Sequence, residues 1–209
     1  MDGLIVETES LQSKAYEQII REHGKEPVFE ENGLVHKVGI RGDEAWKIVL
    51  NKHQLTADIE KLREKKRSIV LQLLENDIKP MPGLIDLLDL LKRESIPIAL
   101  GTGSTKAVAT KILESLRIFH YFSVLVTGDE VKKGKPDPEC FVRASERLGV
   151  LPQDCLVLED AEPGVIAAKR IGMKVVAVPT LYTKDQDFSK ADKMVDSLER
   201  VNWSMIASL

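Results

Sequence analysis

The sequence predicts an α/β fold: a Rossmann-like parallel sheet with helices on both faces, carrying an inserted all-helical domain. Three observations support this. From residue 81 onward short apolar runs alternate with amphipathic stretches, as expected of a parallel sheet covered on both faces. From 10 to 79 apolar residues instead recur every three or four positions, with no strand pattern. Between the two textures, Pro80, Pro82 and Gly83 make a break suited to a hinge.

The helical part holds three segments: LQSKAYEQIIREHG (11–24), DEAWKIVLNKHQL (43–55) and 59–74. In the α/β part, IPIAL (96–100) is the first strand candidate and 106–116 the helix after it. VLV (124–126) is the next strand and ECFVRASERLG (139–149) the next helix. CLVLE (155–159) leads into the helix GVIAAKRIG (164–172), followed by the strand KVVAV (174–178) and a weak last strand at Met194 and Val195. The expected division is an α/β core of 1–9 and 80–209 and a helical domain of 10–79.

With 209 residues, 43% of them hydrophobic, the chain can bury a substantial core. Thirty basic against thirty-three acidic residues leave a formal charge of −3, which gives no general attraction to nucleic acid or to an anionic membrane. The charged run EKLREKKR (60–67) lacks the aromatics and breadth of a nucleic-acid patch and reads as a solvated helix face. Cys140 and Cys155 are too few and wrongly spaced for a zinc site or a disulfide framework, so two reduced thiols and a cytoplasmic setting are expected. No apolar run is long enough to span a bilayer. His23, His36, His53 and His120 are scattered without a metal pair, and Trp46 and Trp203 read as packing anchors.

Open α/β sheets bind ligands beyond the carboxyl ends of their strands. After the first strand comes GTGSTK, with small residues, free amides and hydroxyls at a helix start, which suits an anion. After the second a loop carries Lys135 in GKPDP, and after the third stand Glu159 and Asp160. Taken singly, these are a helix cap, a loop lysine and an acidic helix start. Two nucleotide motifs fail on spacing. GDEVKKGKP separates its glycines by five residues and puts Pro136 where a P-loop needs Ser or Thr, and GTGSTK has Lys106 where the dinucleotide fingerprint needs its third glycine.

In order along the chain, DGLIVETE (2–9), IALGTGS (98–104), GKPDP (134–138) and LVLEDAEPGVIAAKRIGM (156–173) resemble the four motifs of the haloacid dehalogenase superfamily, in particular its β-phosphoglucomutase-like group with a helical cap. The resemblance implies a Mg²⁺-dependent phosphatase acting on small phosphate monoesters through an aspartyl-phosphate. It makes Asp2 the acid/base, its main-chain carbonyl a metal ligand, and Glu159 and Asp160 the acidic metal site. It gives Thr102 and the Gly103 amide the transferring phosphoryl group and Lys135 the balancing charge. Gln12 stands where mutases of the group carry His, which tilts the expectation toward a phosphatase. A sugar-phosphate mutase and a non-catalytic phosphate-binding module remain as alternatives. Arg41, in VGIRGDE, is a candidate for a substrate anion, and Glu7 stands where relatives often have Asp. The implied partner is a small phosphate ester, with no nucleic acid or membrane, and the chain is expected as a monomer or weak homodimer.

The family motif reads Asp-x-Asp-Gly. Asp2-Gly3 fits its second half, which puts the attacking aspartate one residue ahead of Met1, with the apolar strand that leads into it. The expectation is a truncated reading frame or a mis-assigned start, little turnover, and lower stability than a relative whose sheet includes that strand.

Overall fold

The computed structural model describes residues 1–36, 38–39, 42–75 and 78–209. The helical part holds α1 (Glu9–Glu22), α2 (Gly42–Lys52) and α3 (Ile59–Leu73), and α3 packs against both others. Their apolar stripes meet: Tyr16, Ile19 and Ile20 of α1, Trp46 and Val49 of α2, and Leu62, Ile69 and Val70 of α3 are buried. Each such side chain stabilises the packing by roughly 1.5–3 kcal/mol. Asp58 starts α3 by accepting from the amides of Glu60 and Lys61, at 2.9 and 3.4 Å. Further along, α3 leans on the α/β part through α5 (Lys106–Ser115), which sets it over the strand ends.

The α/β part runs α4 (Leu84–Arg93), β1 (Ile98–Gly101), α5, β2 (Phe122–Val126), α6 (Glu139–Leu148), β3 (Leu156–Glu159), α7 (Glu162–Lys169), β4 (Lys174–Ala177), β5 (Lys193–Met194) and α8 (Trp203–Ala207). All strand pairs are parallel. Gly101 lies opposite Val126, Glu159 opposite Ala177, and Ala177 opposite Met194. The strands nevertheless form two sheets, β1-β2 and β3-β4-β5. Among the described residues no strand hydrogen-bonds β1 to β3. Both sheets contribute to one apolar cluster, in which Leu100 and Val176 are buried and Ile98, Leu156 and Leu158 pack against them. Where the chain passes between the helical and α/β parts, its two crossings run side by side: Val6 bridges Pro80, and the Met81 amide donates to the Ile5 carbonyl at 2.9 Å.

Every strand candidate of the sequence lies within two residues of an observed strand. The sequence reading leaves α4 unassigned, although Leu84, Leu87 and Leu88 make its buried face. It also misplaces one anchor. Trp46 is 1% exposed, but Trp203 on the short terminal helix is 40% exposed and lies outside the buried core.

Candidate active site

The carboxyl ends of β1 and β3, the loop after β2 and the turn at Asp2 open into a cavity of ≈ 330 Å³. Asp2, Gln12, Thr102, Gly103, Lys135, Glu159 and Asp160 all line it, so residues up to 158 positions apart meet there (Asp2 to Asp160). Arg41 lies outside the described residues.

Asp2 is held at both oxygens. Thr8, fully buried at the start of α1, donates its hydroxyl to Oδ1, and Ser104 donates to Oδ2 at 3.0 Å. Two hydrogen bonds to the carboxylate fix its direction. Next to it, Gly3 packs so tightly on Asp160 that a Cβ there would stand 2.2 Å from Asp160 Oδ2.

The GTGS loop does more than cap a helix. The start of α5 is capped from elsewhere: the Asp129 carboxylate accepts from the Lys106 amide at 3.1 and 3.3 Å. The buried Thr102 hydroxyl instead accepts from the Ser104 amide at 3.1 Å, and the Thr102 amide is tied to the Val126 carbonyl at 3.0 Å. Gly128 makes the tight turn possible, because a Cβ there would fall 2.1 Å from the Gly103 carbonyl oxygen. That neighbour is backbone and cannot swing aside. Gly128→Ala should therefore displace the Gly103 amide, lower the melting temperature and weaken phosphate binding at least about tenfold, the worth of a hydrogen bond to a charged group. Unchanged phosphate affinity in a calorimetric titration would remove Gly103 from the cradle.

Lys135 ion-pairs with Glu159 of β3, donates to the Gly101 carbonyl of β1 at 3.4 Å, and lies 4.7 Å above the Phe141 ring. Burial alone would lower its pKa. The Glu159 carboxylate, helped by Cys140 and Asp160, outweighs burial and holds it above the usual lysine value. Glu159 is pressed into this pairing from behind, since Gly164 at the start of α7 leaves no room for a Cβ within 2.1 Å of the Glu159 carboxyl carbon. Asp160, 8% exposed, feels Glu159 and Glu9 on one side of the balance and the N-terminal amine and Lys135 on the other. Burial first, and Glu159 second, raise its pKa to about 7.

Among the described residues no group of three or more His, Cys, Asp or Glu side chains is placed to hold a metal. Glu159 is committed to Lys135 and Asp2 to two hydroxyls, which leaves Asp160 as the carboxylate available to a cation. That donor set suits Mg²⁺, which binds through one or two carboxylates plus water and substrate phosphate and seldom through an all-protein cage.

One reading of the sequence needs correction. The run at 60–67 is not a solvated face all round, because Arg63, Lys66 and Arg67 line the cavity from above while Lys65 turns outward to Glu22. Their 3- and 4-residue spacing shows that they share a face, but a single sequence does not reveal which way that face turns. The sequence reading likewise passed over Thr8 and Ser104. Histidines pack as expected: His36 pairs with Glu9 at 2.7 Å and stacks on Tyr16, and buried His53 accepts from the Val28 amide.

Parallel strands with a Thr-Gly turn, a cation and paired acids gathered at their carboxyl ends, beside three helices, have the parts a phosphoryl-transfer hydrolase requires. Comparison with known proteins makes the class specific. The family model of haloacid dehalogenase-like hydrolases matches residues 1–178. A fructose-1-phosphate phosphatase, YqaB of Escherichia coli K12, is 33% identical over 186 residues, 87% of this chain and 94% of that protein. A phosphorylated carbohydrates phosphatase of Thermotoga maritima is 32% identical over 176 residues, 83% of this chain and 80% of that protein. Among solved structures, CbbY of Rhodobacter sphaeroides in complex with phosphate superposes with a TM-score of 0.88 at 25% identity, covering 100% of this chain and 96% of that one. The chain belongs to the haloacid dehalogenase-like hydrolases, and its enzyme class is phosphoric monoester hydrolase.

Proposed function

We propose that the site serves Mg²⁺-dependent hydrolysis of small, sugar-like phosphate monoesters. The observation that carries this is the meeting of Asp2, the Thr102–Gly103 turn, Lys135 and Asp160 around one cavity. The phosphatase relatives on sugar phosphates support the substrate class. In this reading Thr102 and the Gly103 amide hold the transferring phosphoryl group, and Lys135 offsets its charge. Asp2, aimed by Thr8 and Ser104, protonates the leaving oxygen and later takes a proton from the attacking water. Asp160 and the main-chain carbonyl of Asp2 hold Mg²⁺, with Glu159 positioning Lys135 beside it. When bound, the ion neutralises phosphoryl oxygens. Gln12 faces the substrate in place of the histidine of mutases, and Arg41, from its place in VGIRGDE, is a candidate for a substrate anion. The division into a core of 1–9 and 80–209 and a cap of 10–79 belongs to the same reading.

The polypeptide of these 209 residues should bind far better than it turns over, because the carboxylates at the site are already engaged. A phosphate-binding module is thus the second reading for this polypeptide. Vanadate or inorganic phosphate titrated with Mg²⁺ tests both readings, and absence of any Mg²⁺-dependent binding would overturn them together. Free thiols at Cys140 and Cys155 support a reducing, cytoplasmic setting. No helix among the described residues is long and apolar enough to cross a membrane. A monomer or weak homodimer is our expectation for solution.

A pH dependence follows from Asp160. Because its pKa is raised to about 7, the folded carboxyl carries a proton below that value and must release it to take a cation. Mg²⁺ affinity should therefore fall by up to about tenfold per pH unit on acidifying below about pH 7, and level off above it. Titration calorimetry across that range checks this, with Asp160→Asn expected to abolish binding. A flat profile in the unmutated protein would contradict the assignment.

A further inference from the structure

Resting on the phosphatase reading, we propose that Glu139, at the start of α6, is the positioning residue of Lys135: its carboxylate ties down the loop on which that lysine stands. Glu139 meets neither substrate nor metal and acts through Lys135.

Lys135 reaches its partners from the stretch between β2 and α6, which holds no helix or strand. A long, flexible side chain on such a stretch is only as well placed as the main chain beneath it. That main chain is closed into a ring by one residue. Glu139 Oε2 accepts from the amides of Lys132 and Lys133, both at 2.9 Å, while the Glu139 amide donates to Asp137 Oδ1 at 3.1 Å. Within the ring the Asp137 amide donates to the Gly134 carbonyl at 3.0 Å. Lys135 lies between these ties.

An acidic residue in the first turn of a helix ordinarily answers that helix's own amides and dipole. At α6 the carboxylate of Asp137 accepts from the helix start, and that of Glu139 is turned to the loop. Its other oxygen accepts from Arg143 Nε and Nη2 at 3.0 and 2.6 Å. The Lys133 and Lys132 amides first, and Arg143 after them, hold the Glu139 carboxyl down at a pKa of about 2, so it is charged at neutral pH.

The helix that carries Glu139 is itself fixed, because α6 packs on β1 and β2 and buries Cys140, Phe141 and Ala144 there. The Phe141 ring lies 4.7 Å from the Lys135 ammonium. One helix thus sets the lysine at two levels, its main chain through Glu139 and its ammonium through Phe141. Between them they deliver the charge to Gly101 of β1 and Glu159 of β3. Arg170 adds a tie from outside, donating to the Pro136 carbonyl at 2.6 Å.

The test is calorimetric titration of inorganic phosphate in the presence of Mg²⁺, with a thermal melt of each variant. Glu139→Met keeps the stem and removes the acceptor, and should weaken phosphate binding at least about tenfold, the worth of a hydrogen bond to a charged group. Glu139→Gln keeps an oxygen for the loop amides and should bind phosphate within about threefold of the unmutated chain. Arg143→Met removes the partner on the other oxygen and should leave phosphate affinity within about twofold. Hydrogen exchange at the Lys132 and Lys133 amides should quicken in Glu139→Met and stay slow in Glu139→Gln. A purely structural role would instead make affinity follow melting temperature across the three variants. Glu139→Ala guards against a packing defect in the methionine variant, and circular dichroism verifies that each is folded. A loss below about threefold in both Glu139→Met and Glu139→Ala, or a loss in Glu139→Gln as large as theirs, overturns the proposal alone. Failure of the unmutated chain to bind phosphate overturns the phosphatase reading and this role with it.

Discussion

Incubated with Mg²⁺ and an aryl phosphate, the polypeptide of these 209 residues should turn over several orders of magnitude more slowly than the 1–10³ s⁻¹ typical of enzymes. The reason lies in how the site's groups are already occupied. Both oxygens of Asp2 accept hydroxyls, Glu159 is paired with Lys135, and Asp160 is either protonated or a metal ligand. Ser104 donates to Asp2, but a lone carboxylate is a weak base for an alcohol. Cys140 is buried with its pKa raised by burial, so the thiolate is scarce. Mg²⁺-dependent turnover of this polypeptide at ordinary enzyme rates would falsify the assignment of roles.

Lys135→Met should be the most damaging single change to stability. The lysine is the cation shared by two buried acids, and removing one member of a buried pair costs about 3–5 kcal/mol. In a domain of this size that corresponds to roughly 10 °C of melting temperature. Phosphate binding should vanish with it. The double variant with Glu159→Gln should regain most of the stability, since the carboxylate left unpaired is gone, yet regain no phosphate binding. Melts and phosphate titrations of the two single variants and the double separate these roles. If Lys135→Met melts like the unmutated chain, the ion pair is not what holds the acids in place.

Much of this was legible from the amino acids, for reasons that differ by element. KVVAV could be read as a central strand because β4 is buried on both faces, which demands an unbroken apolar run. GTGS, Lys135 and Glu159–Asp160 could be placed together because each follows a parallel strand, and all such strands end on one side. Tertiary facts had no local signature. The contact of Gly128 with Gly103 joins two loops, and α5 is capped by an aspartate from a different loop. The inward turn of Lys66 is set by how α3 leans on α1 and α5, which the spacing along α3 leaves undetermined. Even the bland reading of 60–67 held for its outer residues, so the misreading was one of direction.

The break between β1-β2 and β3-β4-β5 gives Lys135 a mechanical task beside its electrostatic one. Its single ammonium donates to both the Gly101 carbonyl and Glu159, and so clasps two slabs that share side-chain contacts but no backbone ladder.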